Sequence, residues 1–472
     1  MQILLEGSDA RYTLEQLAQT LFGGEEIAIR CRVRETGERI NVVCTIIRGD
    51  RQSRACAWSE KPEDAYECRH THRLTVARAV YRAAVPLLDA PPEWGMLSGV
   101  RPAKLVRAQL EAGRTVRQAQ RFLEKTYFVA PQKAGLCTAA AKAAFAAQAN
   151  LAPRDVLLYL HIPFCPSRCS YCSFVSMSAG DYAQYGEAYY QALMRELSAF
   201  EELAASCRLR VRAIYIGGGT PAILDAGKLS ELCARVRRLA PEAEFTVEAG
   251  RPDVIDAEKL AALRAAGVER ICVNPQSLHD RTLAAIGRRH TASDFFRAFG
   301  LARQAGFCAV NVDLIAGLPG ETEADFTATL DAVTELAPEN ITVHTLAVKR
   351  SSFLNEAAYQ PAPAQRLRAM LDYADQTLAR AGYAPYYLYR QKNMGGSFEN
   401  VGFSRPGEEC FYNICMMEEI GDVIALGAGA STKLTRKGIR RRINPKYPRE
   451  YIARIDEILS DFEWMKQYFY EE

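Results

Sequence analysis

Residues 159–174 read Tyr-Leu-His-Ile-Pro-Phe-Cys-Pro-Ser-Arg-Cys-Ser-Tyr-Cys-Ser-Phe, which puts Cys165, Cys169 and Cys172 in a Cys-x3-Cys-x2-Cys run directly after an apolar, strand-like segment. Three thiolates gathered on one short loop suit a cubane iron–sulfur cluster, and three in place of four leave one iron open to a further ligand. Two other readings use the same residues: a structural zinc site with His161 as fourth ligand, or a redox pair made by Cys169 and Cys172 alone. The third cysteine, the preceding strand and the turn Gly217-Gly-Gly-Thr-Pro221 about 45 residues on favour the cluster.

Outward from this run, strands and helices alternate after Leu151-Ala-Pro-Arg-Asp155 with the regularity of βα units. The predicted strands are Val156 to Phe164, Ala213 to Gly217, Glu244 to Glu248, Arg270 to Asn274, Ala309 to Ile315 and Asn340 to Leu346. Helices are predicted over Ala183 to Ala205, Gly227 to Leu239, Ala257 to Ala266, Ser293 to Ala305 and Glu323 to Glu335. The cysteine loop follows the first strand, and such architectures collect chemistry at the carboxyl ends of their strands. Gly217 to Gly219 offer backbone N–H groups with no side chains in the way, suited to a carboxylate or amino group, although ordinary tight turns use glycine too. Glu248 ends the third strand, Gln276 follows the fourth, Arg288 lies on the next connection and Asp313 lies within the fifth; each is also readable as a satisfied structural polar group.

Upstream, residues 1 to about 50 read as a strand (Gln2 to Glu6), a helix (Leu14 to Leu21) and a hairpin around Glu35-Thr-Gly-Glu38. From about residue 72 to 150 the pattern is helical, with Ala-rich stretches at 77–88 and 138–149, and between them lies an ordered loop, Trp94-Gly-Met-Leu-Ser-Gly-Val-Arg-Pro102, that reads as packing between helices or as a lid or substrate contact through Arg101. Downstream come a helix at about 362–381, the aromatic segment Tyr383 to Tyr389, the glycine-rich Ala425 to Ala430, a basic run at 436–442 expected as a solvated hairpin, and final helices from Arg449.

The chain has 472 residues, 49% hydrophobic and 24% charged, enough for two or three domains. No stretch approaches the ~18 apolar residues of a membrane span, and the first residues lack the pattern of a signal peptide, so a cytoplasmic protein is expected. A net charge of +3 argues for neither nucleic-acid nor membrane partners. Of the 14 cysteines, those outside the loop lack framework spacing and read mostly as reduced core thiols, Cys272 and Cys308 among them.

The Cys-x3-Cys-x2-Cys run with an aromatic before its last cysteine resembles the signature of radical S-adenosylmethionine (SAM) proteins. With His161-Ile-Pro-Phe-Cys165, Gly217-Gly-Gly-Thr-Pro221 and Asp313-Leu-Ile-Ala-Gly-Leu-Pro-Gly320, the match narrows to the oxygen-independent coproporphyrinogen III oxidase family, with its HemN, HemW and HemZ groups, over about residues 155 to 435. The resemblance implies an α/β fold: a partial (β/α)6 barrel over 151–360, an N-terminal α+β and helical accessory domain over 1–150, and a C-terminal α+β domain over 361–472 covering the substrate. It implies a [4Fe-4S] cluster on Cys165, Cys169 and Cys172 whose open iron chelates SAM, cleaved on reduction to a 5′-deoxyadenosyl radical. Tyr159, Gly218, Glu248 and a residue near Ala430 match positions that contact the cluster-bound SAM. Tyr171, Gly219, Thr220, Gln276, Arg288, Asp313 and Ala347 match positions around a second SAM in the oxidase.

The implied activity is oxidative decarboxylation of two propionates of coproporphyrinogen III to vinyl groups, with a reducing partner such as a flavodoxin or ferredoxin. Two departures bear on it. The oxidase motif runs on to a fourth cysteine where this chain has Phe174, as chaperone-like members do. Those chaperones carry His-Asn-x-x-Tyr-Trp where this chain has Tyr412-Asn-Ile-Cys-Met-Met417, so the haem-associated histidine is missing. The first 150 residues and Gly99-Val-Arg-Pro102 resemble the HemZ group, labelled coproporphyrinogen dehydrogenase. The expectation is thus a radical SAM enzyme of tetrapyrrole metabolism. Its alternatives are a haem-transfer protein that keeps the cluster, and a radical enzyme acting on haem or another tetrapyrrole.

Overall fold

The structure, a computed structural model, describes residues 1–97, 99–173, 177–349, 351–357, 359–390 and 398–470. The chain falls into two units, residues 1–141 with 388–399, and residues 142–387 with 400–472.

In the first unit, alternation of apolar and polar residues produces strands with one buried face. β1 (Gln2–Glu6), β2 (Ile27–Thr36), β3 (Arg39–Arg48) and β4 (Arg51–Glu60) form a sheet in that order, β1 parallel to β2 and the rest antiparallel. Ile27, Ile29, Cys31 and Val33 on β2 and Ile40, Val42, Cys44 and Ile46 on β3 are buried, following the period of two. Helix Ala65–Ala84 packs on β3 and β4, its first turn capped by the Asp64 carboxylate, which accepts from the N–H groups of Tyr66 and Glu67. The loop from Trp94 is pinned within this unit: Trp94 Nε1 donates to Glu399 Oε2 at 2.7 Å, and Arg390 Nη1 donates to the Leu97 carbonyl at 2.6 Å. Lys133 closes on the other Glu399 oxygen at 2.6 Å, both side chains 1% exposed. These bonds support the packing reading of the loop.

The second unit is built on βα repeats. β5 (Asp155–Ile162), β6 (Arg210–Gly218), β7 (Glu244–Gly250), β8 (Arg270–Val273), β9 (Ala309–Ala316) and β10 (Asn340–Thr345) lie side by side in sequence order, all parallel, at the six predicted positions to within three residues at each end. Three of the intervening helices begin on capping boxes at Ser178, Thr291 and Thr322, each paired with an Asp three residues on. Later strands extend the same sheet at both edges. After β11 (Ala384–Arg390), β12 (Glu399–Ser404) pairs antiparallel to β10, while β13 (Asp422–Leu426) pairs parallel to β5. β14 (Ser431–Leu434) and β15 (Arg440–Ile443) complete an 11-stranded sheet and form the expected basic hairpin. The architecture is an open α/β sheet of the partial-barrel class.

The inward face of these strands is polar. On β9, Asn311 and Asp313 alternate with the buried Val310, Val312 and Leu314. Tyr159 on β5 stands in register with Tyr215 on β6, so both rings project from the same side. A row of polar groups where a barrel would pack apolar layers marks a site. Cys272 is buried as expected, but Cys308 is exposed, because it lies in the turn just before β9.

Candidate functional site

The cysteine loop leaves the carboxyl end of β5 and is held by backbone bonds from every side. Cys165 N–H donates to the Met177 carbonyl (2.9 Å), Ser170 N–H to Ile286 (3.0 Å), Cys172 N–H to Cys169 (3.1 Å) and Leu354 N–H to Ser170 (3.0 Å). The Thr220 hydroxyl donates to Cys165 Sγ at 3.5 Å. Tyr171 packs on a core of Leu283, Ile286, Ile315, Leu318, Leu346 and Leu354, and its hydroxyl accepts from Arg288 at 3.1 Å. All three cysteines are free thiols. Phe174 lies outside the described residues.

His161 has another task than the zinc ligand considered from sequence. Its Nδ1 bonds the Ala428 carbonyl, and its imidazole occupies the space a Cβ on Gly218 would need. Among the described residues no three His, Cys, Asp or Glu side chains close on a single-ion site, as tetrahedral zinc requires. The three thiols sit on one loop braced by backbone bonds, and thiolates are the ligands that an iron–sulfur cluster takes.

Beside the loop, β6 ends in the glycine turn. Gly218 has φ +112°, and a Cβ on Gly217 would stand 2.7 Å from Glu248 Oε2. Glycine is required here because the Glu248 carboxylate, the His161 ring and the Phe164 carbonyl occupy the places where side chains would stand, and the turn is tied down by Gly219 N–H on the Ile162 carbonyl and Thr220 N–H on the Phe164 carbonyl, both at 2.8 Å. Gly218 N–H donates to Glu248 Oε2 at 3.2 Å, and the Tyr215 hydroxyl donates to Oε1 at 2.5 Å. Burial pushes the Glu248 carboxyl up to about 7, opposed by the Tyr215 hydrogen bond. An incoming ammonium would stabilise its charged form.

The other predicted positions join this group through β8 and β9. Asn274 Nδ2 donates to Asp313 Oδ2 at 2.9 Å, and Arg288 Nη1 donates to the Asn274 carbonyl at 2.5 Å. Burial pushes Asp313 upward, but the His344 imidazole at 3.8 Å and the Asn311 amide at 2.7 Å outweigh it and hold the carboxyl below its ordinary value. Gln276 sits in left-handed backbone, φ +72°, its N–H on the Asp313 carbonyl and its Oε1 buried without a partner. A buried acceptor without a partner fits a ligand that brings a donor. Ala347 lies two residues beyond β10, and Ala430 is buried just after Gly427 to Gly429.

Several residues not singled out from sequence belong to the same site. Tyr215 and Tyr412 stack at 4.6 Å, and each lies 6.2 Å from the ring of Tyr159. The Tyr412 hydroxyl is buried without a hydrogen-bond partner. Helix Phe411–Glu418, which carries Tyr412, is fixed by Glu244 at the start of β7: the Phe411 and Tyr412 N–H groups donate to its carboxylate at 2.9 and 3.0 Å. Glu196 accepts from Gly427 N–H (2.7 Å), Asn444 Nδ2 (2.8 Å) and the Tyr451 hydroxyl (2.7 Å), anchoring the segment before Ala430. Tyr215 was legible as the inward residue two before the glycine turn. Glu196 and Glu244 act on distant segments and left no local signal.

Comparison with known proteins gives the family of the chain and its fold. Residues 159–333 match the radical SAM superfamily. The chain is 38% identical over 389 residues to the oxygen-independent coproporphyrinogen-III oxidase-like protein HemZ of Bacillus subtilis, covering 80% of this chain and 78% of that one. It is 29% identical to the haem chaperone HemW of Escherichia coli, over 62% of this chain and 75% of that one, and 33% identical to HemW of Mycobacterium tuberculosis, over 62% and 73%. The solved coproporphyrinogen III oxidase HemN of Escherichia coli, a radical SAM enzyme, shares the fold with a TM-score of 0.52 and 24% identity, over 68% of this chain and 73% of that one.

Proposed function

The chain belongs to the oxygen-independent coproporphyrinogen III oxidase-like family of radical SAM proteins, and on that premise we propose that it is an oxidoreductase converting coproporphyrinogen III propionates to vinyl groups, giving protoporphyrinogen IX. Family membership implies a [4Fe-4S] cluster and SAM. When bound, these supply one-electron abstraction of hydrogen from an unactivated carbon.

The chain's residues prepare that chemistry. Cys165, Cys169 and Cys172 hold the cluster on the braced loop. Tyr159, Gly218, Glu248 and the segment at Ala430 hold the amino-acid end of SAM, with Glu248 receiving its ammonium as Tyr215 fixes the carboxylate. Tyr171, Gly219, Thr220, Gln276, Arg288, Asp313 and Ala347 are proposed to hold a second SAM. A flavodoxin or ferredoxin is the proposed reductant. In the proposed organisation, residues 361–472 cover the substrate side and residues 1–150 form an accessory domain.

The observation that carries the enzyme reading over a haem chaperone is Tyr412. It stands where the chaperones have their haem-associated histidine, and here that position is 3% exposed and stacked on Tyr215 in the strand interior. A ligand at that position would have to displace the stack to reach iron. The missing fourth cysteine, with Phe174 in its place, favours the second reading, a haem-transfer protein that retains the cluster.

The deciding experiment is anaerobic: reconstituted protein with dithionite, SAM and coproporphyrinogen III, analysed for 5′-deoxyadenosine and tetrapyrroles. Protoporphyrinogen IX formed together with 5′-deoxyadenosine is expected. 5′-Deoxyadenosine with coproporphyrinogen untouched would overturn the substrate, and haem would be the next compound to test.

A further inference from the structure

Cys169 lies beside a buried guanidinium. Cys165 receives a neutral hydroxyl from Thr220. Cys169, 8% exposed, lies 4.0 Å from Nη1 of Arg251. Arg251 is 3% exposed and lies just beyond β7, on a different strand connection from the loop. Its Nη1 donates to the Ser167 carbonyl at 3.1 Å and to the Ser167 hydroxyl at 2.7 Å, while Nε and Nη2 form a fork on the two oxygens of Asp253, each at 2.9 Å. The Ser167 hydroxyl passes the bond on to the Gly287 carbonyl at 3.0 Å. One guanidinium thus spends two donors on a carboxylate and aims its remaining edge at the cluster loop.

We infer that Arg251 is a positioning and tuning residue for the cluster, holding the loop through Ser167 and raising the cluster's reduction potential through its charge and its contact with Cys169, with Asp253 setting the size of that effect. Reduction adds an electron at a buried, thiolate-rich site. A guanidinium directed at one ligand sulfur stabilises that added charge, and hydrogen bonds to cluster sulfurs are a main determinant of potential. Asp253 orients the fork and offsets part of its positive field. This rests on the cluster reading above and is independent of the substrate.

The test is a redox titration of the full-length reconstituted protein without SAM or substrate, followed by electron paramagnetic resonance alongside an iron count. Arg251→Gln is expected to keep its iron and shift the midpoint potential negative. Asp253→Asn, which leaves the guanidinium in place but uncompensated, is expected to shift it positive. A purely structural role predicts no such opposition of sign. Unchanged potentials in both variants, or shifts in one direction, would overturn the inference. If Arg251→Gln takes up no iron, Asp253→Asn decides alone: a positive shift supports the inference, and no shift or a negative one overturns it. Native protein that takes up no [4Fe-4S] cluster would instead overturn the cofactor reading, and the inference with it.

Discussion

Tyr412 lies flat on Tyr215, ring centroids 4.6 Å apart and planes 21° from parallel, so a residue from the helix after β12 supports the phenol that fixes Glu248. Tyr412→Phe keeps the stack and deletes a hydroxyl that has no partner. It is expected to leave stability unchanged or raise it by up to about 1 kcal/mol. Tyr412→Ala opens a cavity, lowers stability by about 3–5 kcal/mol and weakens SAM binding through the loosened Tyr215. Denaturant titration of both variants checks this; a strongly destabilised Phe variant would mean that the hydroxyl is bonded after all.

Glu248 couples binding to pH. Its carboxyl titrates near 7 in the folded chain, above its ordinary 4.5, so the native state holds the proton through a range where the unfolded chain has lost it. Stability therefore falls as pH rises from about 4.5 to 7, and the deficit persists above. Glu248→Gln, its amide donating to the Tyr215 oxygen and its carbonyl accepting from Gly218, removes the deficit. The variant is expected to be about 1–2 kcal/mol more stable at pH 8, with little difference near pH 4.5, while SAM affinity falls at least tenfold. Melting curves at the two pH values and equilibrium SAM binding give both numbers.

Cys169→Ala is expected to abolish the cluster and leave the fold. The loop is braced by Ser170, Leu354 and Cys165 backbone bonds, and the parallel strands carry their own core. Iron analysis should read near zero with an unchanged far-ultraviolet circular dichroism spectrum; an insoluble variant would show that the metal holds the unit together.

Glu196→Ala strands three donors, the Gly427 N–H, Asn444 amide and Tyr451 hydroxyl, in a fully buried place. A loss of about 3–5 kcal/mol is expected. At a temperature where the variant is still folded, SAM affinity should fall while iron content stays, because the anchored segment leads to Ala430 and not to the cysteines.

The parallel strands were legible because each is a short apolar run punctuated by a turn, and Glu323 to Glu335 matched its helix to the residue. The sequence also brought Glu248, Gln276, Arg288 and Asp313 forward, since polar residues at strand ends interrupt that apolar pattern. β4 was missed because only Ala57 among its ten residues is buried, so no alternation of apolar residues announces it. Helix Ala103–Glu111 fell inside the stretch read as helical but without bounds of its own, since only Ala103 and Val106 are buried and no wide apolar face marks its ends. Arg251 escaped, and Tyr412 was read only as the place of a missing histidine, because their partners, Ser167 and Tyr215, lie far away in sequence and local pattern carries no information about such pairings.

The attachment of β12 to β10 and of β13 to β5 also fixes an order of events during synthesis. When the ribosome has delivered the cysteine loop and all six parallel strands, both outer strands still present bare backbone, and neither edge can be sealed until another sixty to eighty residues have emerged. The nascent chain therefore passes through an interval in which the cysteines are accessible and the sheet is open to pairing with a neighbour. Cluster delivery before the last strands dock would meet an open loop, and slow translation of residues 346–426 would lengthen the period of risk and opportunity alike.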